Sequence, residues 1–158
     1  MALVARVPWI AVALVVLPAC GEKEHRHAPA SVGRHVHTAL HGGTLVEIGD
    51  HAYNLELLLD PAAGRLTAWV LDAHAENFVR LRPPTIELTV TAGGDQQALT
   101  LAAVANSATG ETVGDTSQFE AQAAWLKGAT GLAGSIGALE IKGAKFERIA
   151  FRVALPAK

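Results

Sequence analysis

The chain has 158 residues, a formal net charge of −2 at pH 7 and a single cysteine. This length is typical of one globular domain with a substantial hydrophobic core. The slight acidic excess argues against a nucleic-acid partner, and the single thiol excludes an intrachain disulfide and a thiolate metal centre. Any metal site would therefore use histidine nitrogen or carboxylate oxygen atoms.

The first 20 residues have the pattern of a bacterial lipoprotein signal. Arg6 supplies a positive charge, residues 10–17 form a short apolar run, and the segment Leu17-Pro18-Ala19-Cys20 follows. The run is shorter than the stretch of about 20 apolar residues that a membrane span needs. We expect residues 1–19 to be removed, and the resemblance to a lipobox implies a diacylglyceryl thioether and an acylated amine on Cys20. The alternative is an ordinary secretion signal with a coincidental cysteine.

A lipid on Cys20 would anchor the chain to a bilayer outside the cytoplasm, because acyl chains partition into the membrane. Gly21, in place of Asp, favours the periplasmic face of the outer membrane if the cell has two membranes. Residues 20–40 are polar and lack apolar periodicity, so we expect a flexible tether there. Residues 41–158 are expected to form a single domain.

Short alternating runs separated by turn residues predict an all-β domain after the tether. We expect an antiparallel β-sandwich of the immunoglobulin-like kind with about seven or eight strands. The predicted strands are Thr44–Ile48, Ala52–Leu59, Arg65–Leu71, Thr85–Thr91, Gln97–Val104, Ser117–Trp125, Ser135–Ile141 and Phe146–Leu155. The last one has a predicted bulge at Arg148, and the Ala-rich stretch 121–134 stays open between a strand and a short helix.

The alternating runs also predict which side chains form the core. They are mostly large aliphatic and aromatic residues on one face of each strand. The predicted core is Leu57, Leu66, Trp69, Leu71, Ile86, Leu88, Val90, Leu99, Leu101, Phe119, Trp125, Ile149, Phe151 and Val153.

Seven histidines are crowded into one part of the chain, and none follows His74. His25-Arg26-His27 and His35-Val36-His37 are His-x-His pairs, whose imidazoles project to the same side of an extended segment and can reach one ion. The pattern is similar to histidine-rich tracts that collect Zn, Cu or Ni. The alternative is a solvated linker in which histidine is merely frequent.

A second group of candidate ligands lies at the start of the domain. If residues 44–59 form a hairpin, His41 approaches Glu56, and with His51 these side chains would suit a Zn(II) or Cu(II) ion with an open position. Alternatively, the two histidines cap turns and the carboxylate is solvated. Asp72 would accept a hydrogen bond from the ring N–H of a ligand, or else form an Asx-turn.

The motifs His41-Gly42-Gly43, Gly49-Asp50-His51, Glu56-Leu57 and Gly64–Asp72 resemble a small extracytoplasmic domain of bacterial lipoproteins. A similar domain occurs near the start of some periplasmic adaptor subunits of heavy-metal efflux pumps. The resemblance implies metal handling and an envelope or efflux-system partner, and it implies no catalytic activity. The chain lacks the coiled-coil and lipoyl-like patterns of an adaptor subunit.

The sequence contains no Gly-x-Ser-x-Gly, His-Glu-x-x-His or phosphate-loop motif, so we expect no enzymatic activity. The interpretation that follows is a membrane-anchored protein that binds or buffers Zn or Cu, with a possible accessory role in heavy-metal efflux. The alternative is a non-catalytic interaction or structural lipoprotein of the envelope, in which the histidines are incidental.

Overall fold

The structure, a computed structural model, describes residues 37–92 and 94–155. The predicted signal segment, Cys20, His35 and the rest of the predicted tether up to residue 36 lie outside the described residues. Within the described ranges, no helix is long and apolar enough to cross a membrane.

Ten antiparallel strands and one short 3-10 helix make up the described part of the chain, which confirms the all-β prediction. The strands are β1 (Thr44–Ile48), β2 (Tyr53–Asp60), β3 (Arg65–Asp72), β4 (Thr85–Ala92), β5 (Asp95–Ala103), β6 (Gln118–Gln122), β7 (Gly131–Ile136), β8 (Leu139–Ile141), β9 (Ala144–Phe146) and β10 (Ile149–Ala154). The 3-10 helix covers Ala124–Leu126.

Eight strands form one hydrogen-bonded sheet in the order β1-β2-β3-β6-β5-β4-β7-β10, and β8 and β9 form a separate hairpin. The sheet curls so that β10 lies against β1 and β2. Its two halves therefore face each other across the core, as the layers of a sandwich do. An immunoglobulin-like domain has two separate sheets, whereas here one continuous sheet supplies both layers.

The core lies between these two halves and is built from alternate residues of each strand. Leu55, Leu57 and Leu59 enter it from β2, and Leu66 enters it from β3. The residues of the predicted core are mostly buried, but Trp69, Trp125 and Ile149 are only partly buried. Six further large side chains are fully buried but were not predicted in the core: Ile48, Leu55, Leu126, Ile136, Leu139 and Ile141.

The last third of the chain differs most from the predicted strands. The predicted closing hairpin is divided into four strands, β7 to β10, since the chain leaves the extended conformation after β7 and again at Arg148, whose φ is +53°. The expected bulge at Arg148 is thus a break between β9 and β10. The Ala-rich stretch contains both expected alternatives, because β6 ends at Gln122 and the 3-10 helix follows.

Gly134 in β7 provides a test of how closely the strands pack. A Cβ atom at this position would overlap the carbonyl oxygen of Thr89 in β4 and would come within 3.0 Å of the Phe151 ring. We expect Gly134→Ala to lower the free energy of unfolding by about 3 kcal/mol, because backbone cannot yield as a flexible side chain can. Urea unfolding measures this loss. The neighbouring Ser135→Ala substitution is the control, and equal losses in both variants would contradict the close approach.

Candidate functional site

Strands β2 and β3 bury polar and aromatic side chains on the face opposite the core, which we call the outer face. Asn54 and Glu56 in β2 project there, beside Trp69 and Leu71 in β3. Glu56 is fully buried and Asn54 is 5% exposed. Polar groups are buried at low cost only when they are hydrogen-bonded, so their partners define what this face does.

The Glu56 carboxylate binds the segment that enters the domain. The backbone N–H groups of His41 and Gly43 donate to its Oε1 at 2.7 and 2.9 Å. The N–H of Leu40 donates to Oε2 at 3.1 Å, and the His41 ring nitrogen Nδ1 lies 3.0 Å from the same oxygen. Both carboxylate oxygens are therefore occupied by donors from residues 40–43.

Aromatic side chains also hold the His41 ring in place. It stacks on Trp69 with ring centroids 3.8 Å apart and planes 12° from parallel, and Phe78 lies 5.9 Å away. Trp69, which is only partly buried, is the platform for this ring on the outer face. The hairpin does bring His41 to Glu56, as the sequence predicts, but the carboxylate is engaged as a structural acceptor.

His51 lies elsewhere, in the turn between β1 and β2. Its Nδ1 is 3.1 Å from Glu47 Oε2, and its backbone N–H donates to Glu47 Oε1 at 3.0 Å. Glu47, Asp50 and His51 each offer a ligand atom, and these atoms lie within 4.8 Å of one another. Among residues 37–92 and 94–155 this is the single group of three such side chains, and all three are exposed. We call it the turn cluster.

The turn has an unusual backbone that projects these side chains into solvent. Gly49, Asp50 and His51 all have positive φ, at 64°, 50° and 63°. Positive φ is uncommon for residues other than glycine, so a specific packing contact is expected to hold the turn. The Phe146 ring from β9 lies where a Cβ atom at Gly49 would be, so only glycine fits at the start of this turn.

The trio predicted from the sequence therefore does not converge on one point. Three residues of extended strand, at about 3.3 Å each, already separate Tyr53 from Glu56, and His51 lies beyond Tyr53. Glu47 and Asp50 were not among the ligands predicted from the sequence. The predicted hairpin could have indicated Glu47 as a partner of His51, because Glu47 lies opposite Asn54, close to the turn that contains His51.

Two further histidines meet next to the outer face. The rings of His37 and His74 have centroids 5.8 Å apart and planes at 66°. His74 follows β3 in a loop that Asn54 holds. The Nδ2 atom of Asn54 donates to the carbonyl oxygens of Asp72 and Ala73 at 3.0 and 3.1 Å. His37 was a predicted ligand, whereas His74 was not.

Asp72 orders the loop that carries His74. Its carboxylate accepts hydrogen bonds from Asn77 Nδ2 at 2.7 Å and from the backbone N–H of Glu76 at 3.0 Å. These bonds, that of Asn77 first, lower the pKa of Asp72 from 3.8 to about 2. Its carboxylate oxygens are thus used within the loop, by residues four and five positions further on.

A second buried carboxylate, Glu111, holds the loop before β6. The Ser117 hydroxyl and N–H donate to its Oε1 at 2.6 and 2.8 Å, and the Thr109 hydroxyl donates to Oε2 at 2.7 Å. Burial raises the pKa of Glu111, but the hydrogen bonds from Ser117 and Thr109 outweigh burial, and the net shift is downward. In the described part of the chain, every buried side-chain N or O atom has a hydrogen-bond partner.

Comparison of the chain with protein-family models, with curated proteins and with solved structures gave no match. The resemblance of residues 41–72 to an extracytoplasmic lipoprotein domain therefore stays a prediction.

Glu56→Gln tests whether the carboxylate fixes the entering segment. The amide keeps the shape but turns one acceptor oxygen into a donor that faces N–H groups, so we expect a loss of about 3 kcal/mol in unfolding free energy. Chemical denaturation measures the loss. The exposed Glu140→Gln is the matched control and should change stability by less than about 0.5 kcal/mol. Similar values for the two variants would contradict this role of Glu56.

The lowered pKa of Asp72 predicts that the folded state loses stability in acid. Because its pKa is lowered from 3.8 to about 2 in the folded state, its hydrogen bonds stabilise the fold above pH 3.8 and are lost as the pH falls toward 2. Asn77→Ala removes the hydrogen bond that lowers the pKa of Asp72 most, so this variant should lose less stability than wild type between pH 3.8 and pH 2. Thermal unfolding as a function of pH measures the slope, with Asp72→Asn as the variant that cannot titrate. Parallel slopes in wild type and both variants would refute the assignment.

Proposed function

We propose that the protein is a lipid-anchored extracytoplasmic protein that binds a transition metal ion, Zn or Cu, at the turn cluster. The observation that supports this most directly is the approach of one imidazole nitrogen and two carboxylate oxygens, from His51, Glu47 and Asp50, to within 4.8 Å of one another. This donor set suits Zn(II) and Cu(II) and leaves coordination positions open for water or a further ligand.

The exposure of these side chains bears on the kind of binding. The side chain of His51 is 74% exposed and that of Glu47 is 47% exposed, so an ion can enter without displacing packed residues. The ion would take the place of the hydrogen bond between His51 Nδ1 and Glu47 Oε2. Since few other groups surround the turn cluster, we expect modest affinity and rapid exchange, as in a metal buffer.

The location rests on the sequence. The positive charge of Arg6, the apolar run 10–17 and Cys20 together support a lipid anchor on Cys20 and a periplasmic position at the outer membrane of a two-membrane cell. The likeness of residues 41–72 to efflux-associated domains supports an accessory role in heavy-metal efflux. The proposal includes no catalytic step.

A second candidate function is a structural or interaction role in the envelope without a metal. It is favoured by exposed apolar side chains next to the outer face, since Leu40 is 48% and Phe78 is 49% exposed. Neighbouring apolar side chains that form a contiguous patch in solvent are a common mark of a contact surface. A partner protein of the envelope would then cover them.

Metal addition separates the two candidate functions. At a Zn²⁺ concentration of about 100 times Kd, binding to the native state stabilises it by about 2.7 kcal/mol and raises the Tm by about 10 °C. We expect His51→Ala and Glu47→Gln to lose the part of this rise that the turn cluster contributes, measured by differential scanning calorimetry. Glu120→Gln, in β6 away from the turn, serves as the control. An unchanged rise in both turn variants would exclude the turn cluster, and no rise in wild type would favour the structural role.

A further inference from the structure

We propose that His37 and His74 form a second transition-metal site, for Zn²⁺ or Cu²⁺, which fastens the segment entering the domain to the loop after β3. This site shares no residue with the turn cluster, and it goes beyond the function proposed for that cluster. It joins a ligand from the predicted tether to a ligand from the folded domain.

The geometry of the two rings fits shared coordination. Two imidazoles that bind one ion at about 2.0–2.1 Å have ring centroids about 5–6 Å apart. The centroids of His37 and His74 are 5.8 Å apart, with the ring planes at 66°. Ligands of one tetrahedral ion need not be parallel, so the angle between the planes is compatible with shared coordination once each ring turns to direct a nitrogen at one point.

Both histidines are carried by segments that buried side chains of one strand hold in place. Glu56 binds the backbone of residues 40–43, and Asn54, two residues earlier on the same face of β2, binds the carbonyl oxygens of Asp72 and Ala73. The two segments are therefore positioned by a common support. A site whose ligands are positioned before binding requires little ordering of the chain when the ion enters.

The loop of His74 is fixed independently at its other end. Ala75 is buried with a φ of 57°, its N–H donates to the Asp72 carbonyl oxygen at 3.1 Å, and the Asp72 carboxylate binds Asn77 and Glu76. His74 itself is exposed and His37 is half-buried. The His74 ring is thus exposed on a loop whose backbone is held, and His37 lies three residues before Leu40, whose N–H binds Glu56. Solvent access to both rings is what an exchangeable metal site requires.

The ion would act as a cross-link between two segments that are distant in sequence. Without metal, the chain before Leu40 is held by the ring contact of His37 with His74. With metal, two coordination bonds would replace that contact, so the tie between His37 and the loop after β3 would depend on metal concentration. Ligation by two imidazoles favours Zn²⁺ and Cu²⁺ over Mg²⁺ and Ca²⁺, which prefer oxygen ligands.

Histidine-selective NMR of the full chain in detergent tests the proposal during a Zn²⁺ titration. We expect the ring signals of His37 and His74 to shift together with one Kd, and Mg²⁺ to leave them unchanged. His74→Ala should raise the Kd reported by His37 at least about tenfold, since even residues outside the coordination sphere cost that much when replaced. His37→Ala should do the same for His74, and Thr38→Ala is the matched control.

The same titration distinguishes this site from the turn cluster. His51→Ala should leave the shifts of His37 and His74 unchanged, and the signal of His51 should still respond to Zn²⁺ in His74→Ala. If His37 responds at the same Zn²⁺ concentration with and without His74, the two-histidine site is refuted whatever His51 does. Loss of the His51 response alone would count against the turn cluster and leave the His37–His74 site in place.

Discussion

The position of the entering segment depends on one buried carboxylate. Moving a charged group out of water costs several kcal/mol unless hydrogen bonds replace its hydration. Glu56 is fully buried, and its replacement donors are the N–H groups of Leu40, His41 and Gly43 and the His41 ring. A fold that buries Glu56 must therefore also place residues 40–43 on the outer face. This requirement fixes where the chain joins the sheet.

Glu111 stabilises another loop in the same way, with Ser117 and Thr109 as donors. In both places a carboxylate is used to hold backbone or neighbouring side chains, and its oxygens are no longer free to bind an ion. Chemistry with an outside ligand is then left to exposed side chains in other loops and turns. His51 and His74 are such side chains, and each lies in a loop with residues of positive φ.

The sequence predicted the fold well where strands alternate regularly, as in β1 to β4, because one side of each strand faces a core. It failed at β7 to β10, where short runs and glycines give little periodicity. The hairpin register was enough to predict that His41 approaches Glu56. It could not reveal that backbone N–H groups would occupy the carboxylate, because donors of the main chain leave no signal in the side-chain pattern. Trp69 lies opposite Glu56 in the register of β2 and β3, whereas the position of Phe78 beside His41 depends on the irregular loop after β3.

The register of β2 and β3 places both proposed metal positions at one end of the sheet. Tyr53 pairs with Asp72, so the turn before β2 and the loop after β3 leave the sheet side by side. Among the described residues, His51 in the turn cluster and the pair His37 and His74 thus lie at one end of the sheet, in two groups instead of one trio. Exposed imidazoles at neighbouring positions would raise the local probability that a released ion is bound again. Such rebinding suits a protein that holds metal near a membrane for transfer better than one that stores it permanently.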